Sequence, residues 1–252
     1  NVLEKEIKNQ AKERIKNTLK FYDNLKVGLL PKIEQPKVDD NQIVIKDERF
    51  YQEEDKFWPR VTWITSFYPM PEGLKRFLGN AESFEKAEEI KEAGGLRGKN
   101  VHQGIQDLIS GQTLLYSDFS ETEWKMLESF EQWKIDFNPT FVQVEQFVKS
   151  EDFNYAGRYD CLALINNLFY LIDWKTSQVI GNNFWGQISA YIQTIFEKNK
   201  DHALITPAVL RLGTRHKKGY EFAIGEKPWE EYFTEFLSAK HFWEVEHKDT
   251  KP

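Results

Sequence analysis

Two aspartates and a lysine, Asp160, Asp173 and Lys175, lie in the stretch GRYDCLALINNLFYLIDWKTS that runs from Gly157 to Ser177. The pair Asn166-Asn167 divides it into two apolar runs. Leu, Ile, Phe and Tyr favour strands, and paired asparagines tolerate the left-handed backbone of a tight turn. The stretch therefore reads as a β-hairpin. With the Asn pair as its loop, Ile165 faces Leu168 and Asp160 falls opposite Asp173. Directly opposed residues have Cβ atoms about 4.5–5.5 Å apart, so two such carboxylates repel unless a cation lies between them. Lys175 shares the Asp173 face, because side chains two apart on a strand point the same way. Magnesium and manganese prefer carboxylate and carbonyl oxygen, and the Trp174 carbonyl adds another such donor. A lysine there orients or deprotonates a water, or offsets charge on a phosphoryl transition state. D-x-K also occurs as plain surface acids with a cross-strand lysine. The apolar hairpin around these charges argues for a use.

The elements around the hairpin are predicted from periodicity and caps. Val2 to Lys26 carries an apolar stripe at helical spacing under many charges. Gln42–Ile45 and Glu48–Tyr51 read as a short hairpin. Val61–Thr65 is an apolar, β-branched run ended by Pro69 and Pro71, and a short helix with a glycine stop follows. Ser83 opens a helix that Gly94-Gly95 is expected to break. Arg97-Gly98-Lys99 then precedes a helix holding His102, and this start is either an anion site or an ordinary helix beginning. Ser120 with Glu123 is a capping box for a helix to about Phe137. Phe141–Lys149 reads as a strand carrying Glu145. Asn183–Lys198 is helical, with Gln187 and Tyr191 four apart on one face. Leu204–Leu212 is a strand whose Pro207 suggests an edge or a bulge. Arg211, Arg215 and neighbouring bases cluster around the turn before a strand at Tyr220–Ile224, and Pro228–Glu246 is helical.

Both faces of the hairpin are apolar, which calls for helices on each side of a sheet. The fold class expected is mixed α/β in one domain, a central mixed β-sheet flanked by helices. Residues 1–95 form an N-terminal helical and hairpin extension, 96–225 the core and 226–252 a C-terminal helix. The 252 residues are 40% hydrophobic, enough for a sizeable core. No run reaches the ~18 apolar residues of a membrane span, no secretory signal is visible, and Cys161 is the only cysteine, so a cytoplasmic setting is expected. The net charge of −6 argues against coating nucleic acid through bulk charge, but not against a local basic groove.

In order along the chain stand the His102 helix, G-x-x-D ending at Asp160, twelve intervening residues, D-W-K-T-S from Asp173, and Q-x-x-x-Y from Gln187 to Tyr191. This ordered set resembles the RecB-type branch of the PD-(D/E)XK nuclease superfamily, over roughly Arg97 to Tyr191. The segment RVTWITSFYPMPEGLKRFL also resembles the one before the histidine motif in phage and mitochondrial genome maintenance exonucleases. The resemblance implies a restriction-endonuclease-like core and a metal-dependent DNA exonuclease preferring single-stranded ends, in recombination, repair or replication. It implies Asp160 and Asp173 as metal-binding acids, His102 joining the metal sphere, Lys175 as catalytic lysine, and Gln187 and Tyr191 holding the site and the strand. Glu145 matches an acidic position of such nucleases, as a ligand, a residue behind the ligands, or a plain surface glutamate. The cofactor implied is Mg²⁺ or Mn²⁺. One cysteine cannot hold an iron–sulfur cluster, and no P-loop is present for a nucleotide, so any helicase or recombination motor would be a separate partner. Arg97, Lys99, Arg158, Arg211 and Arg215 are the expected phosphate contacts. Tyr159 stands where the superfamily pattern has proline. A structure-specific endonuclease and a non-catalytic nucleic-acid-binding subunit are the rival readings.

Overall fold

A computed structural model describes residues 42–43, 49–53, 55–79, 83–198 and 204–248. The expected helix over Val2–Lys26 lies outside the described residues. Three short antiparallel strands, β1 (Gln42–Ile43), β2 (Phe50–Glu53) and β3 (Lys56–Pro59), form a small sheet. The first two correspond to the expected hairpin; β3 was not expected. The larger sheet has the order β4 (Thr140–Ser150), β5 (Tyr155–Ile165), β6 (Leu168–Lys175), β7 (Ile205–Leu212), β8 (Tyr220–Ile224). Strands β4 to β6 are an antiparallel meander, β7 joins β6 in parallel, and β8 returns antiparallel. The helices are α1 (Val61–Ile64), α2 (Glu72–Gly79), α3 (Phe84–Ile109), α4 (Glu121–Phe137), α5 (Asn182–Lys198) and α6 (Trp229–His247). The chain is thus mixed α/β, with a five-stranded mixed sheet covered by helices.

The hairpin has the register its Asn-Asn loop dictates. Asn166 and Asn167 both take positive φ, 49° and 64°, and Ile165 pairs with Leu168. Leu162, Phe169 and Leu171 pack with α5 and α6, while Ala163, Ile165, Tyr170 and Ile172 pack with α3 and α4. Two cores therefore sandwich the sheet, because neither face can be left to water.

The regular alternation inverts where β4 and β5 pass the acids. Cys161 and Val144 pair with each other and pack on the α3–α4 side, whereas Tyr159 and Val148 pack on the α5–α6 side. Residues an even number apart on a strand should share a face. The inversion falls at Asp160 on β5 and at Glu145 on β4. Glu145 has φ +50°, a left-handed conformation that non-glycine residues rarely adopt. A register shift near Phe141–Gln143 adds to the distortion of β4.

Helix α3 corrects a sequence expectation. It runs unbroken for 26 residues from its N-cap, Ser83, whose hydroxyl accepts from the Lys86 amide. Gly94, Gly95 and Gly98 lie inside it, each costing about 1 kcal/mol relative to alanine. Burial of Val101 and Ile105 farther along holds the helix together. No helix N-terminus exists at Arg97-Gly98-Lys99, so neither the ordinary helix start nor the helix-end anion site is formed there. The β-branched run at Val61–Ile64 is also helical, its buried Val61 and Ile64 facing the core. Strand β7 is interior rather than at an edge. Pro207 is tolerated because β8 pairs only from Ala208 onward, so no N–H is needed on that side. The Ser120–Glu123 capping box forms as expected, and Asn138 closes α4 in a left-handed conformation.

Helix α5 is seated on β5 through Gly157. A Cβ there would lie 2.4 Å from Tyr191 Cε1 and 3.0 Å from its hydroxyl. The Tyr155 hydroxyl donates to the Ala190 carbonyl at 2.9 Å beside it. Replacing Gly157 with alanine is expected to overpack this contact and destabilise the fold by about 1–3 kcal/mol. Denaturant unfolding of Gly157→Ala checks this; an unchanged midpoint would show that Tyr191 yields freely.

Candidate metal centre

Three elements meet where the sheet is distorted. Helix α3 supplies His102, the kinked β4 supplies Glu145, and β5 supplies Asp160. One donor atom from each lies within 4.8 Å of the others. His102 Nδ1 is 3.5 Å from Asp160 Oδ1 and 3.9 Å from Glu145 Oε1. His102 Nε2 lies 2.9 Å from the Trp174 carbonyl. A carbonyl can only accept, so Nε2 carries a proton and Nδ1 is the atom turned to the acids. A backbone partner on the far nitrogen orients an imidazole for metal binding. The carbonyl expected among the metal donors is thus engaged with His102.

Asp160 also explains why the hairpin opens. The β5–β6 ladder stops at Cys161–Ile172, one pair short of the two acids. In a continued ladder the Trp174 amide would face the Tyr159 carbonyl. Instead it donates to Asp160 Oδ2 at 2.6 Å. The carboxylate is wedged into the fork, with Oδ1 left to face His102.

Asp173 belongs to a neighbouring network. Its Oδ1 accepts from Gln187 Nε2 at 3.1 Å, and Lys175 Nζ is 2.5 Å from Oδ2. This Oδ2 is buried with no hydrogen-bond donor correctly aimed at it, so the contact is ionic. Lys175 Nζ also donates to Gln187 Oε1 at 3.4 Å, and Gln187 Nε2 lies 3.4 Å from the Tyr191 hydroxyl. The Lys175 ammonium sits over the Phe184 ring, 4.6 Å from its centroid. Phe184 was missed in the sequence, although it precedes Gln187 by one helical turn and so shares its face.

Burial and crowding of charge set the protonation. Burial, reinforced by the Asp160 charge, pushes the Glu145 carboxyl up to about 8. Burial pushes Asp173 up to about 6 against the pull of Lys175. For His102 burial acts downward, but Asp160 and then Glu145 outweigh it and raise the imidazole to about 9. Burial acts upward on Asp160, yet His102, Lys175 and the Trp174 amide hold it below its ordinary value. Glu145 is thus kept from ionising by burial and by the ionised Asp160 beside it, a crowding of acids next to a histidine nitrogen that a bound cation would relieve. His102, Glu145 and Asp160 together form an N,O group that could hold a metal ion.

The expected phosphate contacts do not converge. Lys99 lines a cleft with His102 and Glu145. Arg97 is turned toward the opposite side of α3, where its charge acts on Glu123 of α4. Arg158 donates to the Glu145 carbonyl at 3.1 Å, supporting the left-handed residue. Arg211 is tied to Glu221 and to the Gln178 carbonyl. Arg215 is exposed in the turn before β8. Gln187 and Tyr191 are 8% and 2% exposed, so they form the wall of the site rather than its open surface.

No family model matches the chain, and no curated protein matches it either. No described helix is long and apolar enough to cross a membrane.

The shifts fix a pH dependence. Asp173, Glu145 and His102 all hold their proton more tightly in the fold than at their ordinary values of 3.8, 4.5 and 6.5. Their stabilising contributions are present at low pH and are lost as pH rises through the folded values. Asp160 acts oppositely: its contribution is present above 3.8 and is lost as pH falls further. In chelator, the melting temperature is therefore expected to fall from about pH 5 to about pH 9. A divalent cation needs these groups deprotonated, so the rise in melting temperature that Mn²⁺ causes grows over the same range. Glu145→Gln removes part of the fall and weakens the Mn²⁺ effect. Thermal melts in EDTA and Mn²⁺ across pH check both; a Mn²⁺ effect independent of pH would exclude these donors.

Proposed function

We propose that the chain is a Mg²⁺- or Mn²⁺-dependent DNA exonuclease that hydrolyses phosphodiester bonds, built on a restriction-endonuclease-like core and preferring single-stranded ends. The observation that carries this reading is the meeting of His102, Glu145 and Asp160 beside the Asp173–Lys175 pair. Sequence order alone had linked most of these residues. The resemblance to RecB-type nucleases supplies the reaction, and recombination, repair or replication its setting. Unwinding of duplex would fall to a separate helicase partner.

His102 Nδ1, Glu145 Oε1 and Asp160 Oδ1 would hold the ion, with Asp173 in the neighbouring network that fixes Lys175. The ion supplies Lewis acidity toward phosphoryl oxygen and lowers the pKa of water. Lys175 is fixed by Asp173, Gln187 and the Phe184 ring, which confine its ammonium to one place. From there Nζ orients the attacking water and offsets charge developing on the phosphoryl oxygens. Gln187 is the positioning residue for both Asp173 and Lys175, and Tyr191 fixes Gln187.

The test compares wild type with Asp173→Ala and Lys175→Ala on labelled linear DNA in Mn²⁺, Mg²⁺ or EDTA. Wild type degrades DNA only with metal, and Lys175→Ala is slower by about 100-fold or more. Equal degradation by all three proteins in metal would sink the assignment. Covalently closed circular DNA survives an exonuclease; its cleavage would point to an endonuclease on the same core.

A further inference from the structure

The cleft at the metal centre has a volume of about 360 Å³. His102 and Glu145 belong to its lining, and the rest comes from one face of α3: Gly95, Gly98, Lys99, Gln103 and Gln106. The two glycines have no packing reason to be glycine. A Cβ at Gly95 would meet nothing within 4 Å, and one at Gly98 would make only an ordinary contact, 3.5 Å from Thr176 Oγ1. Neither has positive φ. Both weaken the helix and both open onto the cleft. By contrast, Gly104 on the far side of α3 is required by Leu127, 2.9 Å from where its Cβ would lie.

We infer that Gly95 and Gly98 keep a track open along α3 for one nucleic-acid strand, which lies against the bare helix and enters the centre at His102 and Glu145. This rests on the nuclease reading for its substrate class. The volume takes a nucleotide-sized group rather than a duplex. From Gly95 to Gln106 the wall is about 16 Å long, so it contacts a short run of backbone. Lys99 is the cation of this wall. Gln106 offers a neutral amide to phosphate or sugar, while the Gln103 amide donates to Asp107 at 2.9 Å. With one lysine set against Glu145, strand binding requires a divalent cation, and its salt dependence is shallow because few phosphates are neutralised.

Gly95→Leu is the direct probe, since leucine has higher helix propensity than glycine and a Cβ at this position meets nothing within 4 Å. Fluorescence anisotropy with a labelled single-stranded oligonucleotide is measured in Ca²⁺. Wild type binds, and binds a duplex of the same sequence more weakly. Gly95→Leu melts at the same temperature or higher and keeps its Mn²⁺-induced stabilisation, but its oligonucleotide affinity drops by about tenfold or more. Lys99→Glu, on the exposed surface, gives a second loss that cannot come from misfolding. Lys99→Ala lowers the slope of log affinity against log salt by about 0.7. Undiminished binding by Gly95→Leu, absence of single-strand binding by wild type, or preference for duplex overturns the inference. Wild type that binds through this face yet does not cleave in Mn²⁺ leaves the track standing and removes the nuclease reading instead.

Discussion

The site depends on a buried carboxylate held open inside a sheet. Asp160 takes the Trp174 amide for itself and thereby ends the β5–β6 ladder. A charge so placed is costly unless it is paired and hydrogen-bonded. The surrounding structure supplies the pairing through three groups. The Trp174 amide comes from β6, the His102 imidazole from α3 and the Lys175 charge from the end of β6. Releasing any of these would leave Asp160 to be protonated or the fork to close.

The neighbouring elements are shaped by that requirement. Strand β4 lies against β5 at the point where alternation inverts, and its Glu145 takes a left-handed conformation that brings a second carboxylate to His102. Arg158 secures the distorted backbone through the Glu145 carbonyl. Such strain persists only where packing on both sides determines it. Here that packing is dense. Phe130, Trp133 and Trp174 are fully buried on the α3–α4 side, and Tyr155, Tyr159 and Phe236 are buried opposite. On this second side Gly157 admits the Tyr191 ring, Tyr191 braces Gln187, and Gln187 spans Asp173 and Lys175. The resulting order joins a β5 glycine to the position of the lysine through contacts alone.

Local signals in the chain determined a good deal. The Asn166-Asn167 loop set the hairpin register, because a two-residue turn leaves no freedom to slip, and this placed Asp160 and Asp173 at corresponding positions. Apolar residues on both hairpin faces required helices above and below. The capping box at Ser120–Glu123 and the spacing of Gln187 and Tyr191 fixed a helix start and a helix face. These features rest on interactions within a few residues, which is why they are legible in one dimension.

Longer-range competition decided the rest. Three glycines and a basic triplet looked like a helix break, yet α3 continues because burial of Val101 and Ile105 outweighs local propensity. Val61–Ile64 is helical and β7 interior for the same kind of reason. Arg97 and Lys99, two residues apart, point to different sides of a helix that the sequence had not shown to be continuous. Arg158 and Arg211, taken as phosphate contacts by charge, are committed to a carbonyl and to a carboxylate. The sequence by itself determined which residue types could bind a cation and the order in which they occur. Only the tertiary structure decided that Glu145 joins His102 and Asp160 while Asp173 turns to Lys175 and Gln187, because that division depends on where the sheet forks and how β4 bends, and both are set by packing between distant segments.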